Sequence, residues 1–137
     1  MKLSANFDLE EFTYSFTAQK RGIINSPTIS QISNLQFLCT SILQPIRDKW
    51  KDTIKVTSGF RSHDLNKVIG GSKTSQHLKG EAADIVCRDN NALWKMIVEM
   101  IEKEEIVVGQ LIDEYDLKWI HISIPTSNKC NRILKIS

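Results

Sequence analysis

Cysteine is scarce and badly spaced for pairing. Cys39, Cys87 and Cys130 are odd in number, far apart, and form no Cys-x-x-Cys. That argues against a disulfide framework or a cysteine zinc site, and each thiol is expected to be a small hydrophobe in a reduced compartment. No apolar run is long enough to span a bilayer. The opening Met-Lys-Leu-Ser-Ala-Asn-Phe-Asp-Leu-Glu-Glu carries acids where a signal peptide needs an apolar stretch. The expectation is synthesis in the cytoplasm without a signal peptide, and no membrane insertion. Neither charge sign dominates: eighteen basic against sixteen acidic residues leave a net charge of +2. With no basic run interleaved with aromatics, nothing points to nucleic acid. Repeats, low-complexity tracts and linkers are also lacking. Residues 1–137 are therefore read as a single domain, monomeric, large enough to bury about two-thirds of its unfolded surface.

Hydrophobic periodicity supplies the elements. Residues 1–26 read as a wrapping segment with a short helix near Leu9 to Tyr14. Pro27 marks a helix start, after which Ile29, Ile32, Leu35, Leu38, Ile42, Ile46 and Trp50 recur at helical spacing, with Pro45 as a kink or break. Ile54 to Thr57 read as a short strand, residues 63–69 as one or two helical turns, and Ala82 to Cys87 as a buried strand. Asp89-Asn90-Asn91 offers an N-cap to a helix carrying Leu93, Ile97, Met100 and Ile101. Ile106 to Ile112 and Trp119 to Ile124 complete the strands, the latter as the last one. Helices against a small, mostly antiparallel sheet make an α+β domain.

What is present is concentrated in residues 75–84, Ser-Gln-His-Leu-Lys-Gly-Glu-Ala-Ala-Asp. They place an imidazole at His77 and a carboxylate at Asp84 across a turn containing Gly80. On the strand from Trp119, alternation puts Ile120, Ile122 and Ile124 toward the core, and Trp119, His121 and Ser123 on the other face. Two imidazoles and a carboxylate, His77, Asp84 and His121, form a common ligand set for a catalytic Zn2+ with one position left for water. Gly80 allows a sharp turn, and Ala82 and Ala83 permit close approach. Each residue also has a plain reading: a loop histidine, a strand-end cap, a hydrogen-bonded strand histidine.

Taken in order, Ser58-Gly59-Phe60-Arg61-Ser62, Leu65-Asn66, Val68, Gly70-Gly71, Ser75-Gln76-His77, Gly80, Ala82 and Asp84-Ile85 resemble the zinc D-alanyl-D-alanine carboxypeptidase family. The small bacterial and phage peptidoglycan peptidases, with a fold shared by the hedgehog signalling domain, are the most similar branch. Gln110-Leu111-Ile112, Glu114 and Trp119-Ile120-His121-Ile122-Ser123 continue the resemblance, and Phe7 through Glu11-Phe12 opens it. It implies that His77, Asp84 and His121 bind zinc. It also implies that Arg61 grips a substrate carboxylate or carbonyl, a task that suits a planar guanidinium. Ser75, Gln76 and Trp119 border the site as substrate contacts, although Ser75 also suits a turn-stabilising role. Glu114 is favoured as the base and Asp116 is second; Asp113 should face away. The branch often carries Asp where this chain has Gly109, and the loop before the final ligand is short. His63 is read as surface.

The expected activity is zinc-dependent hydrolysis of peptidoglycan stem peptides, as a carboxypeptidase or an endopeptidase. The enzyme would be a phage or prophage product acting on the cell wall after release or within a virion. The alternative is a non-catalytic zinc-containing wall-binding or virion structural module.

Overall fold

A computed structural model describes residues 1–137. The chain opens with a small hairpin, β1 (Lys2–Ser4) and β2 (Phe7–Asp8), then α1 (Leu9–Thr13) and α2 (Phe16–Arg21). α1 is started by Glu11, whose carboxylate accepts from the Asp8 backbone N–H at 2.8 Å. The hairpin and α2 are additions to the short helix expected here. Their strands are too brief for an alternating pattern to show, and α2 depends on Ser15 accepting from Ala18 N–H.

The long apolar stripe forms α3 (Ile29–Leu38), a π turn (Cys39–Leu43) and α4 (Gln44–Trp50) in one run. Pro27 does not begin it. Thr28 is the N-cap, accepting from Gln31 N–H while Gln31 accepts from Thr28 N–H, so the proline precedes the cap. Nor does Pro45 break it. Pro45 has no N–H to give, and the wider turn just before it, closed by Gln44 N–H on Cys39 carbonyl, takes up its ring within a continuous helix.

β3 (Lys55–Ser58), α5 (His63–Ile69), a 3₁₀ turn (Gln76–Lys79), β4 (Ala82–Val86) and α6 (Asn90–Glu102) follow. Asp89 caps α6 as its sequence suggests, accepting from Ala92 N–H at 3.0 Å. The chain then forms β5 (Gln110–Glu114), β6 (Trp119–Ser123) and β7 (Arg132–Ile136), giving one five-stranded sheet in the order β3-β4-β6-β5-β7. All pairings are antiparallel except β5 with β7. Two expectations are corrected. Ile106 to Gly109 lie before β5 and not in it, although Ile106 and Val108 are buried; pairing, not apolarity, sets the strand, and it begins at Gln110. β6 is also not last, because β7, exposed at every position, continues the sheet without an apolar face that a pattern could reveal.

One face of this α+β sheet packs Ala83, Ile85, Leu111, Ile120 and Ile122 against Leu35, Leu38, Ile42 and Ile46 of the long helical run and Leu93 and Ile97 of α6. The three thiols are unpaired, Cys39 buried and Cys130 exposed; burial pushes the Cys39 thiol up to about 12. No helix is long and apolar enough to cross a membrane.

Two glycines fix how the other face is built. Gly80 ends the 3₁₀ turn at φ +71°, and a Cβ there would meet the Gln31 carbonyl oxygen at 2.6 Å. α3 is held against this turn by Gln31 donating to Leu78 carbonyl and Asn34 donating to Lys79 carbonyl. Gly109 donates its N–H to Ser123 carbonyl at 2.7 Å, and a Cβ would meet Ile124 carbonyl oxygen at 2.2 Å. This chain therefore has no room at 109 for the aspartate common in the branch it resembles. Gly80→Ala combines a left-handed backbone with a backbone clash. It is expected to cost roughly 2–4 kcal/mol, read as a lowered denaturation midpoint at unchanged m-value.

Candidate active site

Strand register gathers the polar residues on the sheet face opposite the core. Asp84 lies directly across from His121, which in turn lies across from Ile112, and Glu114 lies across from Trp119. Asp84, His121 and Glu114 thus project to one side, with His77 brought over them by the 3₁₀ turn. Together with Arg61, Gln76 and Trp119 they line a cleft of about 300 Å³.

The imidazole nitrogens are assigned by their partners. His77 Nδ1 lies 2.7 Å from the Gly59 carbonyl oxygen, which can only accept, so Nε2 carries the lone pair and sits 3.4 Å from Asp84 Oδ1. His121 presents Nδ1 to Asp84 Oδ1 at 3.0 Å and donates from Nε2 to Gln76 Oε1 at 3.3 Å. One ligand atom from each of His77, Asp84 and His121 lies within 4.8 Å of the others, all three side chains buried. This donor set fits a zinc ion, because nitrogen lone pairs and a carboxylate converge while the outer N–H groups are spent on fixing each ring. Burial alone would raise the Asp84 carboxyl. In the metal-free protein, protonated His121 and His77 would instead donate to it from those same nitrogens and, with their charge, hold it well below the usual carboxylate range. It is ionised at neutral pH, as a ligand must be.

Arg61 Nη2 stands 3.7 Å from Asp84 Oδ2. Its other nitrogens are committed: Nε donates to Ser58 Oγ at 3.1 Å and Nη1 to Asn66 Oδ1 at 3.3 Å. Asn66 is itself buried and donates to Ser72 carbonyl. Ser58 and Asn66 stand in the motif sequence, but nothing in their spacing announces that they aim a guanidinium. Ser75 faces its own turn, accepting from His77 N–H at 3.2 Å. Gln76 spends its oxygen on His121 and leaves a buried Nε2 without a partner. Trp119 is half-buried at the cleft wall.

Three acids compete for proximity to the centre, and geometry separates them. Glu114 Oε2 is 3.7 Å from His121 Nδ1. Burial, with the Asp84 carboxylate nearby, raises its carboxyl, while His121 pulls the other way. Asp113 points to the opposite face and accepts from Leu117 N–H. Asp116 is exposed and reaches Lys135 at 3.6 Å. The turn between them is tight because Tyr115, Asp116 and Leu117 all have φ near +55°, at 55°, 56° and 58°, a conformation costing about 1–2 kcal/mol each for such residues. Hydrogen bonds from Tyr115 N–H to Ile136 carbonyl and from Asn90 Nδ2 to Leu117 carbonyl hold it. His63 is exposed, away from the cleft. Lys129 is a cleft residue that the sequence did not single out; it arrives from a loop with no motif, closed by the Thr126–Lys129 bridge.

A family profile described as peptidase M15 matches residues 5–123. No curated protein matches the chain. Because the matched span covers most of the chain and takes in every side chain of the cleft except Lys129, the chain belongs to the M15 peptidases, the zinc D-Ala-D-Ala carboxypeptidase family.

Proposed function

We propose that this M15 peptidase binds one zinc ion through His77 Nε2, Asp84 Oδ1 and His121 Nδ1 and hydrolyses the peptide part of bacterial peptidoglycan. A role as a phage or prophage wall-degrading product fits that chemistry. The observation that carries the reading is the convergence of those three donor atoms within 4.8 Å beneath a cleft that also holds Glu114 and Arg61. Zinc in such a centre supplies Lewis acidity and an acidified water.

The chain's own residues do the rest. Glu114 Oε2, on the cleft side of His121, is placed to accept the proton of the attacking water and return it to the leaving amine. Burial and the nearby Asp84 carboxylate raise its carboxyl, the direction that favours holding and returning a proton. Arg61, held by Ser58 and Asn66, offers Nη2 to the substrate oxygen on which negative charge develops. Gln76 Oε1 keeps the His121 ring in one orientation.

Purified peptidoglycan digested with the zinc-loaded protein should release peptide products seen by mass spectrometry. A chelator should abolish them, and added zinc should restore them. Stoichiometric zinc without any product would leave a wall-binding module in place of the peptidase.

A further inference from the structure

A second depression, of about 480 Å³, opens between α2 and the outer edge of β3 and shares Arg61 and Trp119 with the reaction cleft. We propose that this groove binds the substrate as an extended peptide, so that the chain cuts within a peptide and does not trim its last residue. The proposal rests on the peptidase reading above and names the form of the substrate.

Three observations carry it. First, β3 ends the sheet: β4 covers one side and no strand pairs with the other. All four of its residues line the groove. A free strand edge is the usual partner of an extended peptide, with backbone hydrogen bonds giving affinity. At about 3.3 Å per residue, β3 accommodates about three or four peptide residues. Second, the opposite wall is apolar and uncovered. Tyr14, Phe16 and Ile69 are 61%, 65% and 47% exposed, and the three together mark a contact surface more than isolated exposed side chains would. That wall is fixed in place. Asn25 Nδ2 donates both to Thr13 carbonyl, next to Tyr14, and to Phe60 carbonyl, and Phe60 N–H donates to Phe12 carbonyl.

Third, the reaction cleft continues on its far side. There it shares Thr74, Gln76 and Lys129 with a wholly polar depression of about 400 Å³ that also contains Lys79 and Glu81. The scissile bond would thus lie midway along a passage with an apolar, strand-edged arm and a polar arm. A site for removing a terminal residue needs the cleft to end at the last carboxylate, whereas depressions adjoin this cleft on both sides.

The test uses the zinc-loaded full chain and synthetic stem-type peptides blocked at both termini, read by mass spectrometry. Phe16→Ser and Ile69→Asn, both at exposed positions, are assayed alongside. Internal cleavage of the blocked peptide is expected. Each variant should raise KM about tenfold for the long peptide, the order seen when one contact anchor is lost. KM for a peptide too short to reach the groove should stay unchanged, as should zinc content and Tm. Release of single terminal residues from free-ended peptides, with blocked peptides untouched, would overturn the groove proposal while leaving the peptidase standing. Wild-type KM in both variants would do the same. Failure to cut any peptidoglycan peptide would remove both.

Discussion

Glu114→Gln is expected to lower kcat by about 10²–10⁴-fold, the usual contribution of a positioned proton carrier, with zinc retained at one equivalent per chain. Glutamine keeps the length of the side chain and its place across from Trp119, so the sheet is undisturbed, but it cannot take a proton. Glu114 Oε2 stands 3.7 Å from His121 Nδ1 but is not among the three residues whose donor atoms all converge, so it is read as lying beside the proposed metal centre and outside its donor set. Steady-state kinetics and metal analysis on the same preparation check both halves. Turnover near wild type would transfer the role elsewhere. Asp116, which faces Lys135 at the surface, offers a control: Asp116→Asn should leave kcat within about twofold, as surface changes usually do.

Asp84→Asn should produce the opposite split, removing metal and hydrolysis together. Asp84 is the one anionic donor of the three, and its Oδ1 is the atom on which both imidazoles converge. Zinc affinity should fall by more than about 100-fold, beyond the 10–100-fold typical of losing a group that merely orients a ligand. Asparagine has the same shape and keeps the β4 register, so far-UV circular dichroism should not change. Zinc content after equilibration in a defined zinc buffer decides the matter: full occupancy in the variant would place the metal somewhere other than this triad. Gln76→Leu should be milder. It removes the acceptor for His121 Nε2–H without touching a donor atom, and about 10–100-fold weaker zinc binding is expected.

How much of this the sequence could tell differs by residue. His121 and Glu114 were readable because strand alternation is strict: a two-residue period puts Trp119 and His121 on one face and excludes Asp113. His77 was readable as a motif residue, but not which nitrogen it offers, because the Gly59 carbonyl that decides this lies eighteen residues away. The resemblance of Gln110-Leu111-Ile112 with Glu114 favoured Glu114 over Asp116, but the left-handed turn at Tyr115–Leu117 that carries Asp116 to the surface was not legible, because residues of those types do not advertise that backbone. The anchoring of Arg61 by Ser58 and Asn66 is likewise invisible to spacing. In the fold, long periodic elements such as the 29–50 helical run and α6 announce themselves. The three-residue and two-residue strands of the N-terminal hairpin, and the solvent-facing β7, carry too little pattern to be seen.

β7 bears on the proposed chemistry at one remove. Ile136 is the strand partner of Glu114, and its carbonyl takes the Tyr115 N–H. Substitutions that loosen residues 132–136 would therefore free the outer flank of the strand that carries the proposed proton carrier. Such variants are thus expected to differ in rate, even though residues 132–136 touch neither the substrate cleft nor the proposed metal ligands.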